Sequence, residues 1–254
     1  MVADSGGAPA GPDPRPSRRL PALRELLLLG VLFLAYSAIR VAAVDDPWRA
    51  DRHADAVLDA ERLLHIDIEA AINSALSSVP PLEVLASYWY AALHYTVTPL
   101  ALFVIYRQRP QRYRRMRTAL LVPTAMALVG YVAFPTAPPR LFGGYVDTLL
   151  ATANVGWWSG EGSAVQGAAS VVNQFAAMPS MHVGWALWCS LVFWQLARRP
   201  VQRVLAAAYA PVTALVVIAT GNHWVLDVVA GAALVAGAWW VVVARAPGRR
   251  ARPA

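Results

Sequence analysis

Two histidines, an aspartate and an arginine are the residues here whose types and spacing could do chemistry. His223 and Asp227 stand four apart in Asn222-His223-Trp224-Val225-Leu226-Asp227. On a helix that spacing puts both side chains on one face, one turn apart. The carboxylate can accept from one imidazole nitrogen, which fixes the tautomer and leaves the other nitrogen as a nucleophile. This is the orienting logic of a catalytic triad applied to the histidine itself. His182, in Pro179-Ser180-Met181-His182, opens another apolar run and is placed to protonate a leaving oxygen. Arg140, in Pro138-Pro139-Arg140, carries a planar fork of donors suited to phosphate oxygens. Free N–H groups at the starts of the two helices would add anion-binding dipoles. A nucleophile, an acid, a fixed cation and helix N-termini together describe phosphoryl transfer. Each piece alone has a plainer reading: a structural histidine, Ser180 as an N-cap, an arginine paired with lipid headgroups.

The elements that must position these residues are membrane helices. The 254 residues are 57% hydrophobic and 15% charged, against about 25% charged in an ordinary soluble domain. Six apolar runs, at about 23–44, 82–106, 118–134, 181–197, 204–220 and 223–244, are long enough or nearly so to span hydrocarbon. The first is longer than the core of a signal peptide and reads as an uncleaved helix. The last two are separated by little more than Gly221-Asn222, which predicts a tight antiparallel hairpin. The expected fold is all-α, a polytopic membrane protein of six transmembrane helices. The expected domains are a disordered cytoplasmic tail at 1–19, a six-helix membrane domain at 20–245 and a basic cytoplasmic tail at 246–254.

Every one of the 22 basic residues is arginine, and the net charge is +7. Most fall in four clusters: Arg15 to Arg24, Arg107 to Arg117, Arg198 to Arg203 and Arg245 to Arg252. All four lie on one side of a six-helix path, so the positive-inside rule makes that side, with both termini, cytoplasmic. Spread over four junctions, they read as topology signals and exclude a nucleic-acid patch. The lone Cys189 forms no intrachain disulfide.

The opposite side then holds all three polar clusters. It also holds the acidic connection 45–81, with Asp45, Asp46, Asp51, Asp55, Asp59, Glu61, Asp67 and Glu69. Leu63, Leu64, Ile66, Ile68, Ala71, Ile72 and Leu76 predict an amphipathic outer-surface helix between helices 1 and 2. Its plainer role is to cover the bundle; a platform for a lipid is the sharper one. In the connection 135–179, Trp157-Trp158 read as interfacial anchors, with a substrate lid as the alternative. His94 falls mid-membrane and reads either as a histidine bonded inside the bundle or as a substrate-cavity residue.

These motifs resemble the type 2 phosphatidic acid phosphatase superfamily. Pro179-Ser180-Met181-His182 is similar to its Pro-Ser-x-His signature, and His223-x-x-x-Asp227 to its His-x-x-x-Asp signature. Pro138-Pro139-Arg140 and Asn222-His223 resemble the branch with inositol phosphorylceramide synthases and related actinobacterial membrane proteins. The resemblance implies a six-helix fold working without metal or other cofactor. It makes His223 the nucleophile that forms a phosphohistidine, Asp227 its orienter and His182 the general acid. By the same resemblance Arg140, with Ser180 as the weaker candidate, would bind phosphate; Asn222 and His94 complete the candidates for binding substrate or phosphate. The chain departs from the family at two places: Leu102 stands where Lys-x6-Arg-Pro would have lysine, and Val216-Val217 where Ser-Arg would precede the third signature.

The expected function is therefore a membrane lipid phosphatase or phosphotransferase acting at the outer face. Its partners are a lipid phosphate and the bilayer; a homo-oligomer is compatible with this. One alternative passes the phosphoryl group to an alcohol such as inositol. Another, from a different class, is a metal-binding or lipid-transporting protein that uses His182, His223 and Asp227 as ligands; the neighbouring Arg140 would repel a cation.

Overall fold

The computed structural model describes residues 22–42, 46–156, 158 and 174–245. The expected tails at 1–19 and 246–254, Asp45, Trp157 and residues 159–173 lie outside the described residues. The remaining chain is all-helical: α1 (Ala22–Ala42), α2 (Pro47–Leu64), α3 (Glu69–Ser77), α4 (Pro80–Gln108), α5 (Pro110–Ala133), the one-turn α6 (Thr148–Ala151), α7 (Met181–Leu196), α8 (Pro200–Ala219) and α9 (Val225–Trp239). A 3-10 turn, Pro139–Leu141, precedes α6, and a π turn, Trp240–Ala244, extends α9. Among the described residues, three helices, α5, α8 and α9 with its π turn, are long and apolar enough to cross a membrane.

Proline sets many of the starts. Pro47, Pro80, Pro110 and Pro200 open their helices, where a missing N–H costs nothing. Pro110 moves one boundary: the run expected from residue 118 begins at 110, because the arginines after it are good helix formers. The second arginine cluster is therefore mostly the first turns of α5. Arg117 there pairs with the buried Glu25 of α1, which also accepts from Tyr113 Oη, so this arginine ties two helices together.

α7 is the central element and packs against α4, α5, α8 and α9. Its residues Met181, Trp188, Cys189 and Val192 share the main core with Ile105, Met116, Tyr131, Val235 and Trp239. Buried indoles are anchored as they must be in an apolar interior. Trp188 Nε1 donates to the Met116 carbonyl at 2.8 Å and Trp185 Nε1 to Thr124 Oγ1 at 2.9 Å. The hairpin expectation is corrected here. α8 and α9 are joined directly, yet the main packing of each is against α7. Gly221, at φ +68°, ends α8 in the left-handed conformation that favours glycine, and 222–224 then lead away from it.

A second, smaller core closes the end of the bundle where α7 and α9 begin. It joins Ala50, Ala54 and Val57 of α2 to Ala137 and Trp224. The expected single amphipathic helix is two, broken after α2 by His65 at φ +58°. Leu63, Leu64 and Ile68 are 79%, 58% and 46% exposed, while Glu61, Glu69 and Asn73 are buried. Small residues at Ala50, Ala54 and Val57 let α2 lie close on the bundle, and polar groups continue that face.

Candidate active site

His223 is the most tightly specified side chain of the three motifs. It lies in the turn between α8 and α9 and is 4% exposed. Its Nδ1 lies 2.9 Å from the Ala177 carbonyl oxygen and 3.5 Å from Asp227 Oδ2. A carbonyl only accepts, so Nδ1 carries the hydrogen and Nε2 the lone pair. Nε2 is buried with no hydrogen-bond partner among the described residues. The sequence assigned the orienting role to Asp227 alone; the closer partner is a backbone carbonyl. That carbonyl is held in turn by a short parallel bridge between Thr136 and Ala176, with Thr136 N donating to Phe175 O and Ala177 N to Thr136 O.

Asp227 is fully buried. Its Oδ2 accepts from Trp224 N at 2.9 Å, the reach-back half of a capping box. The first two amides of α9 are also taken: Val225 N donates to Glu69 Oε1 at 2.8 Å and Leu226 N to Glu61 Oε1 at 2.7 Å. The expectation that this helix start offers free amides to a substrate anion is thus corrected. Three carboxyl groups already occupy it.

His182 begins α7, whose cap is Ser180: Oγ accepts from Val183 N, and Ser180 N donates to the Asp227 carbonyl. The His182 ring lies 5.6 Å from that of His223, is stacked on Tyr90 at 4.3 Å, and meets His94 edge-on at 4.5 Å. His94 is therefore beside the acid candidate, and its Nδ1 lies 3.1 Å from the Tyr90 carbonyl. Gly231 permits the crossing that sets this geometry, since a Cβ there would sit 2.0 Å from the Ser180 oxygen.

Arg140 is brought to the same end. Its backbone N–H donates to the Gly221 carbonyl at 2.8 Å and Nη1 to Asn222 Oδ1 at 2.7 Å, while Nε is 3.5 Å from Asp147 Oδ2. Nη2 has no partner among the described residues. Asn222 is engaged at both ends of its amide, because Nδ2 donates to the oxygens of Thr220. Trp158, expected as an interfacial anchor, is largely buried and donates from Nε1 to the Leu149 carbonyl.

Sequence reasoning missed Glu61, Glu69, Ala177, Asp147 and Asn73. Asn73 donates to the Val146 and Ala219 carbonyls and accepts from Val146 N, which staples α3 to the Arg140 loop and to the end of α8. Glu61 carried a readable signal: it continues the Ala50, Ala54, Val57 face at helical spacing. Ala177 carried none, because it acts through its backbone.

A 530 Å³ apolar groove between α5 and α9, lined by Gly130, Phe134, Met178, Pro179 and Ala230 among others, reaches the segment that opens α7. A 720 Å³ cavity lies at the opposite end of the helices, beside Arg109 and Arg198, with no site residue in its wall.

Among known proteins, the family model described as the PAP2 superfamily matches residues 55–241. That span contains all three motifs. No curated protein and no solved structure matches the chain.

Proposed function

Because the chain belongs to the PAP2 superfamily, we propose that it is a membrane lipid phosphatase or phosphotransferase working through a phosphohistidine on His223. The observation that carries this reading is the His223 ring. Nδ1 is committed to the Ala177 carbonyl, and Nε2 is buried and unpartnered within ring contact of His182.

In this reading His223 Nε2 attacks the phosphorus of a lipid phosphate ester. A P–N bond forms and the ester P–O bond breaks, while His182 gives its proton to the leaving oxygen. The Ala177 carbonyl and Asp227 hold the positive charge that develops on the ring. Water or an alcohol then attacks the phosphorus, its proton returns to His182, and the P–N bond breaks. Arg140 supplies the fixed cation through Nη2. Asn222, its amide already committed, positions Arg140, and Ser180 caps the helix of the acid. His94 and Tyr90 pack the other faces of His182. No step in this reading calls on a metal.

Six membrane crossings, at the runs named from the sequence, complete the proposal. Residues 20–245 form one membrane domain, both termini are cytoplasmic, and the site faces outside. The large exposed apolar residues of α1, such as Leu23, Leu26, Val31 and Leu34, support its place against lipid. The groove ending at Pro179 supports sideways entry of an acyl chain. The Pro-Pro-Arg and Asn-His pairs support the branch resembling inositol phosphorylceramide synthases, and with it an alcohol acceptor as the second reading.

The test is turnover of radiolabelled lipid phosphates by the wild-type and His223→Ala proteins in detergent. The wild type is expected to form an acid-labile, base-stable phosphoprotein that the variant lacks. Full turnover by His223→Ala would sink the proposal. With inositol-type alcohols present, free phosphate as the sole product rejects transfer and leaves hydrolysis.

A further inference from the structure

Glu61 and Glu69 reach the start of α9 from two different helices of the segment that covers it. Both side chains are fully buried. Each uses Oε1 to accept from one amide of that helix start, Leu226 N for Glu61 and Val225 N for Glu69. Their other oxygens, Glu61 Oε2 and Glu69 Oε2, are buried with no donor among the described residues. Because the two Oε1 atoms accept from consecutive amides of one helix turn, the two carboxyl groups lie side by side. Two ionised carboxylates cannot satisfy each other, since neither has a hydrogen to give; one proton between them satisfies both.

We propose that Glu61 and Glu69 are a carboxyl pair sharing one proton, which clamps the first turn of α9 and so positions Asp227 and His223 for the reaction. They are positioning residues, and they make the α2–α3 cover part of the working site. The inference rests on the phosphohistidine reading for its catalytic half only.

The surroundings keep the proton in place. Glu61 is pushed up to about 9, by burial first and by the hydrogen bond it donates to Glu69 next, with the negative charges of Glu69 and Asp227 adding to this and the Leu226 amide opposing it. Burial first, and then the negative charges of Glu69 and Glu61, hold the Tyr145 hydroxyl of the loop before α6 protonated, with Arg62 opposing this and Asp67 adding to it. Loss of the shared proton would set a second negative charge beside Asp227 and drive the two carboxylates apart. The turn they hold would then loosen.

The sign of the pH effect follows. The folded chain keeps a proton on Glu61 that an unfolded chain releases above its ordinary value of 4.5. Stability from this group therefore falls as pH rises from about 4.5 to about 9, and is level above that. Glutamine at position 61 keeps an acceptor for Leu226 N and gives Glu69 a permanent donor.

The experiment uses the full chain in lipid nanodiscs. The wild-type melting midpoint is expected to fall between about pH 5 and about pH 9, and the Glu61→Gln midpoint to fall less over that interval. Equal slopes overturn the shared proton. Glu61→Ala and Glu69→Ala are expected to lose about tenfold to a hundredfold in kcat with KM changed far less, and Glu61→Gln to recover most of the loss. Folded alanine variants with wild-type kcat overturn the positioning role; should they fail to fold, the glutamine variant's slope still decides. A midpoint raised by calcium or magnesium in the wild type but not in Glu61→Gln overturns the proposal in favour of a bound cation. His223→Ala runs alongside: its full turnover refutes the phosphohistidine, while the midpoint slopes judge the pair independently.

Discussion

At the scale of single residues, Arg140 shows how few free donors the site has. Nη1 donates to Asn222 and Nε pairs with Asp147, which fixes the guanidinium plane. Lysine keeps the charge and loses the fork. Arg140→Lys is expected to lower kcat/KM by about a hundredfold, within the range of a lost charge-assisted donor in a water-poor site. Asn222→Ala, which only frees the arginine, should cost about tenfold, with part of the loss in KM. Steady-state kinetics on one lipid phosphate separate the two. An Asn222→Ala loss as large as that of Arg140→Lys would mean that Asn222 itself touches the phosphate. His223 illustrates the limit of spacing as a guide. The four-residue interval to Asp227 was visible in the chain, but the shorter contact is to the carbonyl of Ala177, which no side-chain pattern encodes.

At the scale of elements, the crossing of α7 over α9 sets the distance between the two histidines. Gly231 lies against the Ser180 backbone, and a methyl group would meet its oxygen at 2.0 Å. Gly231→Ala is expected to cost about 1–3 kcal/mol, as overpacking at rigid backbone does. It should also lower kcat by pushing the start of α7 away from α9. Thermal unfolding of the purified protein, paired with kcat, checks both effects; an unchanged midpoint would mean that the helices separate freely there. The helix positions were readable because apolar runs must satisfy their backbone internally in hydrocarbon. The start of α5 was not, since arginines at its first turns looked like a connection while Pro110 made them helical. The face by which α2–α3 meets the bundle was not legible either. Its large apolar residues point outward, and small residues with two glutamates and an asparagine make the contact.

At the scale of the whole molecule, one end of the bundle gathers the motifs, and the other holds the described arginines of the loops before α5 and α8, such as Arg109 and Arg198. The proposed topology puts these ends on opposite sides of the bilayer. Single cysteines placed at Arg112 or Arg198 are expected to react with an impermeant thiol reagent only from the cytoplasmic side, and a cysteine at Leu141 only from outside. Native Cys189 is buried and should stay silent in each case. Labelling of all three positions from the same side would reject the topology.

The sequence by itself determined that the chain is helical and apolar and which family signatures its residues form, because apolar run length and motif spacing are local properties of a chain. Only the tertiary structure decided what those residues touch. It set α7 between α8 and α9, turned His223 onto a backbone carbonyl, tied Arg140 to Asn222, and drove Glu61 and Glu69 against the first amides of α9. Those contacts join residues that are far apart in the chain, through buried groups that must find partners where water is excluded. The pairing that results depends on how the helices cross, which no local pattern records.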